Sequence, residues 1–313
     1  MELSVVIVNY NAGPALAKCL SCLMSQTLQD IEIIVVDNNS QDGSLAILDD
    51  YPRVSIIRNM ANLGFAAGQN QGFRLARGQY IMALNYDLYM PPQFLESLLI
   101  GLKSDNQAGW ACGKLLNMSP DGKMEKTIYA VGHTLPLNRF PKLRGNGDVD
   151  CGQYDQREYV FGAPGAAVIY RREFIDHISF DDQFFDESFF TWYEDVDVDW
   201  RGNNCGWKCI YIPDAQAYHQ GHVGERYVDP FLSFFVELTV RNRWLMVLAN
   251  ELELKHNFSL SIMQYEFALL RYVLRERLLK AYVRAIYGVY TRVALIQHKR
   301  KSILKKSLEK GCF

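Results

Sequence analysis

The chain has 313 residues and a mass of 36.0 kDa, enough for one large domain with an appendage. Hydrophobic residues are 49% and charged residues 22%, so a sizeable core is expected and wholesale disorder is excluded. Net charge is −2, from 33 Lys+Arg against 35 Asp+Glu, which excludes a protein basic all over that coats nucleic acid.

The chain opens on an apolar, β-branched run, Leu3–Asn9, that reads as a strand. A helix pattern follows over 14–26, with Pro14 near its start. Residues 31–36 form a second strand ending at Asp37, and 38–43 are a polar turn. Ser44–Asp50 reads as a helix, Val54–Arg58 as a third strand and Ala66–Arg77 as a helix. Tyr80–Leu84 is a fourth strand ending at Asn85-Tyr86-Asp87, and Pro91–Leu102 is the next helix. Residues 117–157, rich in Gly, Asn and Asp, look like a long variable loop region. Regular structure returns at Tyr159–Tyr170, followed by an acid-rich stretch over 181–199 and a strand at Lys208–Ile212. From about 230 the chain is helical, with apolar residues from Phe267 to Ala285 at helical spacing and basic residues between them.

Strands alternating with helices predict an α/β fold with a mainly parallel sheet. The strands are apolar nearly throughout, as strands covered on both faces must be. Asn9, Asp37, Asn85 and Asp87 follow strands, and ligands of open α/β sheets bind at the carboxyl ends of strands.

The near-zero charge hides a split. Residues 265–313 hold 12 Lys+Arg and 3 Asp+Glu, a net of +9, which leaves −11 for the remainder. An acidic body and a basic tail are expected to face different partners, as two opposed surfaces. The seven cysteines are an odd number without the spacing of a disulfide framework. Cys19 and Cys22 lie within a helix pattern, and buried thiols are the favoured reading over a zinc site. The opening lacks a signal-peptide pattern, and no charge-free run of about 18 apolar residues exists, so a cytoplasmic protein is expected, peripheral at most on the inner face of the membrane.

Four features can carry chemistry. Asp87 at a strand end can hold a divalent cation bridging a diphosphate, or be a turn aspartate. Residues 176–199 carry nine acidic side chains and no Lys or Arg. One carboxylate among others can act as a general base; a solvated face at a helix start is the plainer account. His219, in Tyr218-His219-Gln220-Gly221-His222, can ligate a metal or sit in a polar loop. Asn62-Leu63-Gly64-Phe65-Ala66-Ala67-Gly68-Gln69-Asn70 enters a helix through glycines but is neither Gly-x-Gly-x-x-Gly nor a P-loop. Helix–sheet packing accounts for it as well as phosphate binding does.

In order, Val5–Asn11, Ile34–Gly43, Asn62–Phe65, Leu84–Asp87 and Glu194–Asp197 resemble the inverting glycosyltransferases of family 2, and within them the rhamnosyltransferase-like branch. The resemblance covers about residues 3–245 and includes Arg241-Asn242-Arg243. It implies a GT-A fold, with a mainly parallel, Rossmann-like sheet flanked by helices. Residues 1–228 would form the nucleotide-sugar-binding and catalytic domain, and 229–313 a helical, basic extension. It further implies a nucleoside-diphosphate sugar donor, dTDP- or UDP-linked, a glycan or lipid-linked acceptor, and Mg²⁺ or Mn²⁺. By position, Asp195 matches the catalytic base and Glu194 a partner that orients it or holds acceptor. Asn9, Tyr10, Asn11, Asp37, Asn39, Asn62, Gly64, Asn70, Asn85 and Tyr86 would bind donor. Gly165 and Trp192 would bind acceptor with Glu194, and Asp87 and His219 the metal. The metal-binding Asp-x-Asp motif is altered: Asn85 stands at its first position and Tyr86 where the branch often has proline. This removes one anionic metal partner, so weaker metal affinity is expected with Asp87 remaining, and it is the best support for the alternative of a catalytically silent nucleotide-sugar-binding or scaffolding protein. A membrane-facing role for the basic tail and a homodimer complete the expectations. A sugar nucleotidyltransferase is disfavoured because Asn9–Pro14 has no Lys or Arg. A dinucleotide-dependent oxidoreductase is disfavoured because the glycine fingerprint is absent.

Overall fold

The computed structural model describes residues 1–221, 231–253 and 259–309. His222, Cys312 and the expected domain boundary at 228/229 lie outside the described residues. The first half runs β1 (Leu3–Asn9), α1 (Pro14–Met24), β2 (Ile31–Asp37), a 3₁₀ turn (Ser44–Asp50), β3 (Val54–Arg58), α2 (Phe65–Leu75) and β4 (Tyr80–Leu84). Next come β5 (Leu88–Tyr89), α3 (Phe94–Lys103), β6 (Ala108–Met118), β7 (Met124–Ala130), β8 (His133–Thr134) and β9 (Lys142–Leu143). Then follow β10 (Glu158–Val160), β11 (Ala167–Arg171), α4 (Arg172–Ile178), α5 (Glu194–Asn204) and β12 (Lys208–His219). The chain continues in α6 (Phe231–Asn250), α7 (Leu260–Arg275), α8 (Leu279–Tyr290) and α9 (Val293–Glu309).

The main sheet has the order β10-β12-β6-β11-β4-β1-β2-β3. Its pairs β12–β6, β4–β1, β1–β2 and β2–β3 are parallel. β11 enters antiparallel between β4 and β6. This mixed but mostly parallel sheet, flanked by helices, is the expected GT-A architecture. Alternation along β1 shows why both faces are covered: Leu3, Val5 and Ile7 join one apolar cluster with α1 and α3, while Val6 and Val8 join another with α2 and α4. The glycines of α2 make that second layer close. A Cβ on Gly72 would stand 2.2 Å from Val6, and one on Gly68 2.8 Å from Val8. Helix–sheet packing therefore decides these two positions.

Three expectations change. The region 117–157 is not one loop: the long β6 enters it, and β7, β8 and β9 lie inside it. Its Gly and Asn residues mark turns between short strands. The helix expected through 267–285 breaks at 276–278, where Arg277 adopts φ 59°. Finally, acidic body and basic tail are not opposed surfaces. α9 packs on the body, and its buried Lys299 donates to Asp186 at 3.0 Å and Asp197 at 2.7 Å. Asp197 also pairs with Arg201 at 2.9 Å and accepts from Asn250 at 2.7 Å. Half-way along the acid cluster, the tail thus supplies the offsetting charge. Cys19, Cys22, Cys112, Cys205 and Cys209 are buried free thiols and Cys151 is an exposed one. Among the described residues no helix is long and apolar enough to cross a membrane.

Candidate active site

The register of the sheet gathers the candidate residues on one rim. Asn9 pairs with Asp37 at the ends of β1 and β2. Asn85 follows β4, and its N–H donates to the Ala166 carbonyl at 2.8 Å. Because β11 is antiparallel, its beginning, with Gly165 just before it, comes to the ends of the parallel strands. β12 ends at His219, opposite Leu88 of β5, which brings the ring to Asp87.

At the β1–β2 end Asn9 is buried and donates to Asp37 at 2.7 Å, Ser40 at 3.1 Å and Ser44 at 3.0 Å. Its carboxamide thus shapes the Asp37 turn from within. Tyr10 and Asn11 are exposed beside it, and Asn11 accepts from the Gln41 N–H at 2.8 Å. Asn39 is exposed on the same turn, at φ 65°. Tyr86 bridges toward the metal candidates: burial, then the negative charges of Asp87 and Asp42, raise its hydroxyl above the ordinary value.

Asp87 and His219 form the first aspartate–histidine pair. His219 Nε2 stands 3.0 Å from Asp87 Oδ1, and its ring meets Tyr129 edge-on with centroids 4.3 Å apart. Its Nδ1 is buried with no hydrogen-bond partner among the described residues. A buried polar atom left unpaired is costly, and a carboxylate suits six-coordinate Mn²⁺ or Mg²⁺, while imidazole is a ligand that Mn²⁺ accepts far more readily than Mg²⁺. The donor set therefore fits such an ion, with water and diphosphate oxygens as the remaining ligands. Among the described residues no group of three or more His, Cys, Asp or Glu side chains converges for a metal.

The second pair lies at the start of α5. Asp195, in the first turn of α5, accepts the Gly165 N–H at 2.8 Å and the Val196 N–H at 2.8 Å. His133 Nε2 lies 3.8 Å from Asp195 Oδ2, and its Nδ1 lies 2.7 Å from Asp199 Oδ2. Asp199 also accepts from Trp110 at 2.9 Å and from the Ala163 N–H at 3.1 Å. A Cβ on Gly162 would stand 1.8 Å from Asp199, so only glycine admits this carboxylate. Burial pushes Asp199 up to about 6 against the hydrogen bond and charge of His133, with Asp195 adding to the rise. For His133, burial opposes the charged form, but the Asp199 hydrogen bond and both carboxylates outweigh it and raise its pKa. Glu194 is buried, with Oε2 unpaired. Burial, then the charges of Asp195 and Asp197, raise it well above the ordinary carboxylate range.

The loop before α5 is held in an unfavourable shape. Phe190, Trp192 and Tyr193 adopt φ of 67°, 67° and 74°. Each such residue costs roughly 1–3 kcal/mol, so the surroundings must over-determine it. Arg241 and Asn242 do so. Arg241 donates to the Ser188 and Phe189 carbonyls at 3.0 Å each. The fully buried Asn242 donates to the carbonyls of Phe189, Thr191 and Trp192 at 2.8–2.9 Å. Arg243 reaches the Asn138 carbonyl at 2.6 Å and pairs with Glu266 of α7.

The candidate residues thus share one rim of the sheet, and comparisons with known proteins identify the family. The family model for glycosyl transferase family 2 matches residues 4–176. The chain belongs to that family. An N-acetylglucosaminyl-diphospho-decaprenol L-rhamnosyltransferase of Mycobacterium tuberculosis is 27% identical over 237 residues, 69% of this chain and 75% of that one. A poly(ribitol-phosphate) beta-glucosyltransferase of Bacillus spizizenii is 34% identical over 39% of this chain and 20% of its own. The structure of S. aureus TarS 1-349 in complex with UDP-GlcNAc matches with a TM-score of 0.59 at 17% identity, over 98% of this chain and 89% of that one. A mannosyltransferase of Pyrobaculum calidifontis in complex with GDP-Man and Mn²⁺ gives 0.53 at 13% identity, covering 99% and 86%. These two structures establish the shared fold.

Within this family 2 glycosyltransferase, some expected site residues serve the scaffold instead. Gly64 faces the Phe190 carbonyl, 2.4 Å from where its Cβ would be, and that carbonyl accepts the Ala66 N–H at 3.2 Å. The start of α2 is thus capped by protein, not turned to a diphosphate. Asn62 accepts the Gly64 N–H at 2.9 Å and braces that turn. Asn70 is buried and exchanges hydrogen bonds with the backbone of Phe185 at 2.8 and 3.0 Å. The polar groups of these three expected donor residues are used within the protein, where they brace loops. The N–H of Gly165, expected at the acceptor, likewise holds the Asp195 carboxylate. Asn85, half-buried at the end of β4, and Trp192, at the mouth of the α5 loop, remain beside the rim. Sequence reasoning missed His133 and Asp199. Asp199 is four residues beyond Asp195 on one helix, a spacing that puts both on one face. His133 lay in the region taken for a loop and carried no signal.

Proposed function

We propose that this glycosyltransferase moves a sugar from a nucleoside-diphosphate donor to a glycan or lipid-linked acceptor, with inversion, using Asp195 as general base. The observation that carries the reading is the partly exposed Asp195 carboxylate, held by Gly165 and backed by His133, on the same sheet rim as Asp37, Asn85 and Asp87. Asp195 takes the proton of an acceptor hydroxyl as that oxygen attacks the anomeric carbon. The bond from that carbon to the diphosphate oxygen breaks, and its electron pair leaves with the nucleoside diphosphate. Glu194 holds the acceptor or orients the base. Asp37, Tyr10, Asn11, Asn39, Asn85 and Tyr86 form the donor side, with Asn9 shaping it from beneath. Asp87 and His219 would hold Mg²⁺ or Mn²⁺, which when bound offsets the charge of the departing diphosphate.

The similarity to the rhamnosyltransferase supports dTDP-rhamnose as the first donor to try, with UDP-hexoses next, and polysaccharide assembly as the setting. Residues 1–228 form the catalytic unit in this reading and 229–313 its support. The surface of α8 supports membrane association. Val283, Ile286, Tyr287 and Tyr290 form an exposed apolar stripe opposite buried Ala281 and Ala285, with Lys280 and Arg284 beside it. Flotation with anionic liposomes should survive in the wild type and fail in Ile286→Glu/Tyr287→Glu; equal flotation ends the idea. The test of function is a panel of nucleotide sugars with Mn²⁺, read by donor turnover and thermal shift. Turnover of one donor is the expected result. Nucleotide binding without turnover of any donor would return the protein to the silent-binder alternative.

A further inference from the structure

Beside His133 and the start of α5 lies a cavity of about 600 Å³, within the range of about 300–1,000 Å³ typical of ligand pockets. Its walls come from the α5 loop, from α6 and from α7, with His133, Trp192, Leu232, Phe235, Tyr265 and Leu269 among them. The lining is almost all carbon. Thr239 also lines it, but its hydroxyl is bound to the Phe235 carbonyl at 2.8 Å. Two lining residues, Lys142 and Tyr272, are exposed and mark the mouth. Lys142 has no ion pair among the described residues, so the mouth presents a cation to solvent. At the inner end, His133 is shared between the cavity wall and the Asp195 carboxylate. The site is thus apolar within, cationic at the mouth and separated from the Asp195 carboxylate by the His133 ring.

We infer that this cavity binds the hydrocarbon chain of a lipid-linked acceptor, a long-chain isoprenoid carrying a phosphate or diphosphate, with Lys142 facing the phosphate. The inference deepens the glycosyltransferase reading and rests on it for the word acceptor. Three features select this occupant. A cavity of this size lined by aromatic and aliphatic side chains gains most from apolar surface. The Lys142 cation complements an anionic head group. The walls reach residues on either side of Asp195, so a bound chain would lead its head group toward the base. Arg243 fixes the outer wall, since it ties α7, through Glu266, to the 138–139 backbone.

The experiment compares two probes with the same head group, farnesyl diphosphate and isopentenyl diphosphate, binding to the full chain by calorimetry below the micellar concentration. Diphosphate contacts anywhere on the protein cancel between them. Farnesyl diphosphate should bind more than about tenfold tighter, as expected for added buried methylenes. Leu269→Glu in the wall and Tyr272→Ser at the mouth should each remove most of that preference. Equal affinity of the two probes would overturn the inference, and so would a preference that both variants retain. UDP and dTDP binding is measured on the same preparations. Nucleotide binding with no chain-length preference sinks the cavity assignment alone. A chain-length preference without nucleotide binding leaves the cavity standing and sinks the donor reading.

Discussion

Two aspartate–histidine pairs stand on one sheet rim, and their settings differ. In the Asp87–His219 pair the second ring nitrogen is buried without a partner among the described residues. In the Asp195–His133 pair it is bound by a further carboxylate, Asp199, at 2.7 Å. A ring with an unsatisfied nitrogen suits a site that some other group completes. A ring locked between two carboxylates can only orient and carry charge. In the proposed mechanism the same two residue types therefore take a ligand-holding role in one place and a base-supporting role in the other.

The strongest test of this division is Asp195→Asn. General-base catalysis contributes about 10²–10⁴-fold, so turnover should fall at least that far while UDP or dTDP affinity is unchanged. Near-normal turnover would remove Asp195 from the mechanism and dissolve the contrast between the pairs.

Next in size is a test of the third carboxylate on α5. Asp197 faces away from the rim and shares Lys299 with Asp186, all three buried. Lys299→Met leaves Asp186 buried without its cation, while Asp197 keeps Arg201, and breaking such a buried pair costs about 3–5 kcal/mol. Chemical denaturation should show that loss. A stability within about 1 kcal/mol of wild type would mean that Lys299 is dispensable and that the acid cluster is screened by solvent.

Asp87→Ala probes the other pair. It should raise the Mn²⁺ concentration for half-maximal turnover by about 10–100-fold, a range set by what metal-site substitutions typically cost. The pH profile should keep its shape. An unchanged metal requirement would show that the two pairs do not differ in the way proposed.

The first four strands were readable because each is a short β-branched run ended by a polar turn, and Val54–Arg58 and Tyr80–Leu84 appear with the bounds expected. β6 was not readable. Ala108–Met118 holds two glycines, a lysine and an asparagine, and only its burial between β11 and β12 makes it a strand. The rim residues Asp37, Asp87, Asp195 and His219 were legible because each lies at an element end in a known order of motifs. Asn62, Gly64 and Asn70 misled because a polar loop that braces another loop has the same composition as one that binds phosphate. Lys299 was invisible as an internal cation, since nothing in a basic tail says which lysine will be buried.

The smallest effects belong to His133 and Asp199, which support the proposed base. His133→Gln keeps a hydrogen-bond donor near Asp199 but removes the charge, so turnover should fall only about tenfold, below the lower bound of losing the base itself. The pH dependence is the sharper readout. Both Asp199, at about 6, and His133 have folded pKa values above their ordinary ones of 3.8 and 6.5. A raised folded pKa means that the stability contributed is full below the unfolded value and is lost as pH rises through the folded one. The stability advantage of wild type over Asp199→Asn should therefore be largest near pH 4 and shrink as pH rises through about 6, then further as His133 loses its proton. Differential scanning fluorimetry across pH 4–8 measures it directly. An advantage that grows with pH would reverse the sign, and His133 would then be a neutral packing residue with no electrostatic hold on the base.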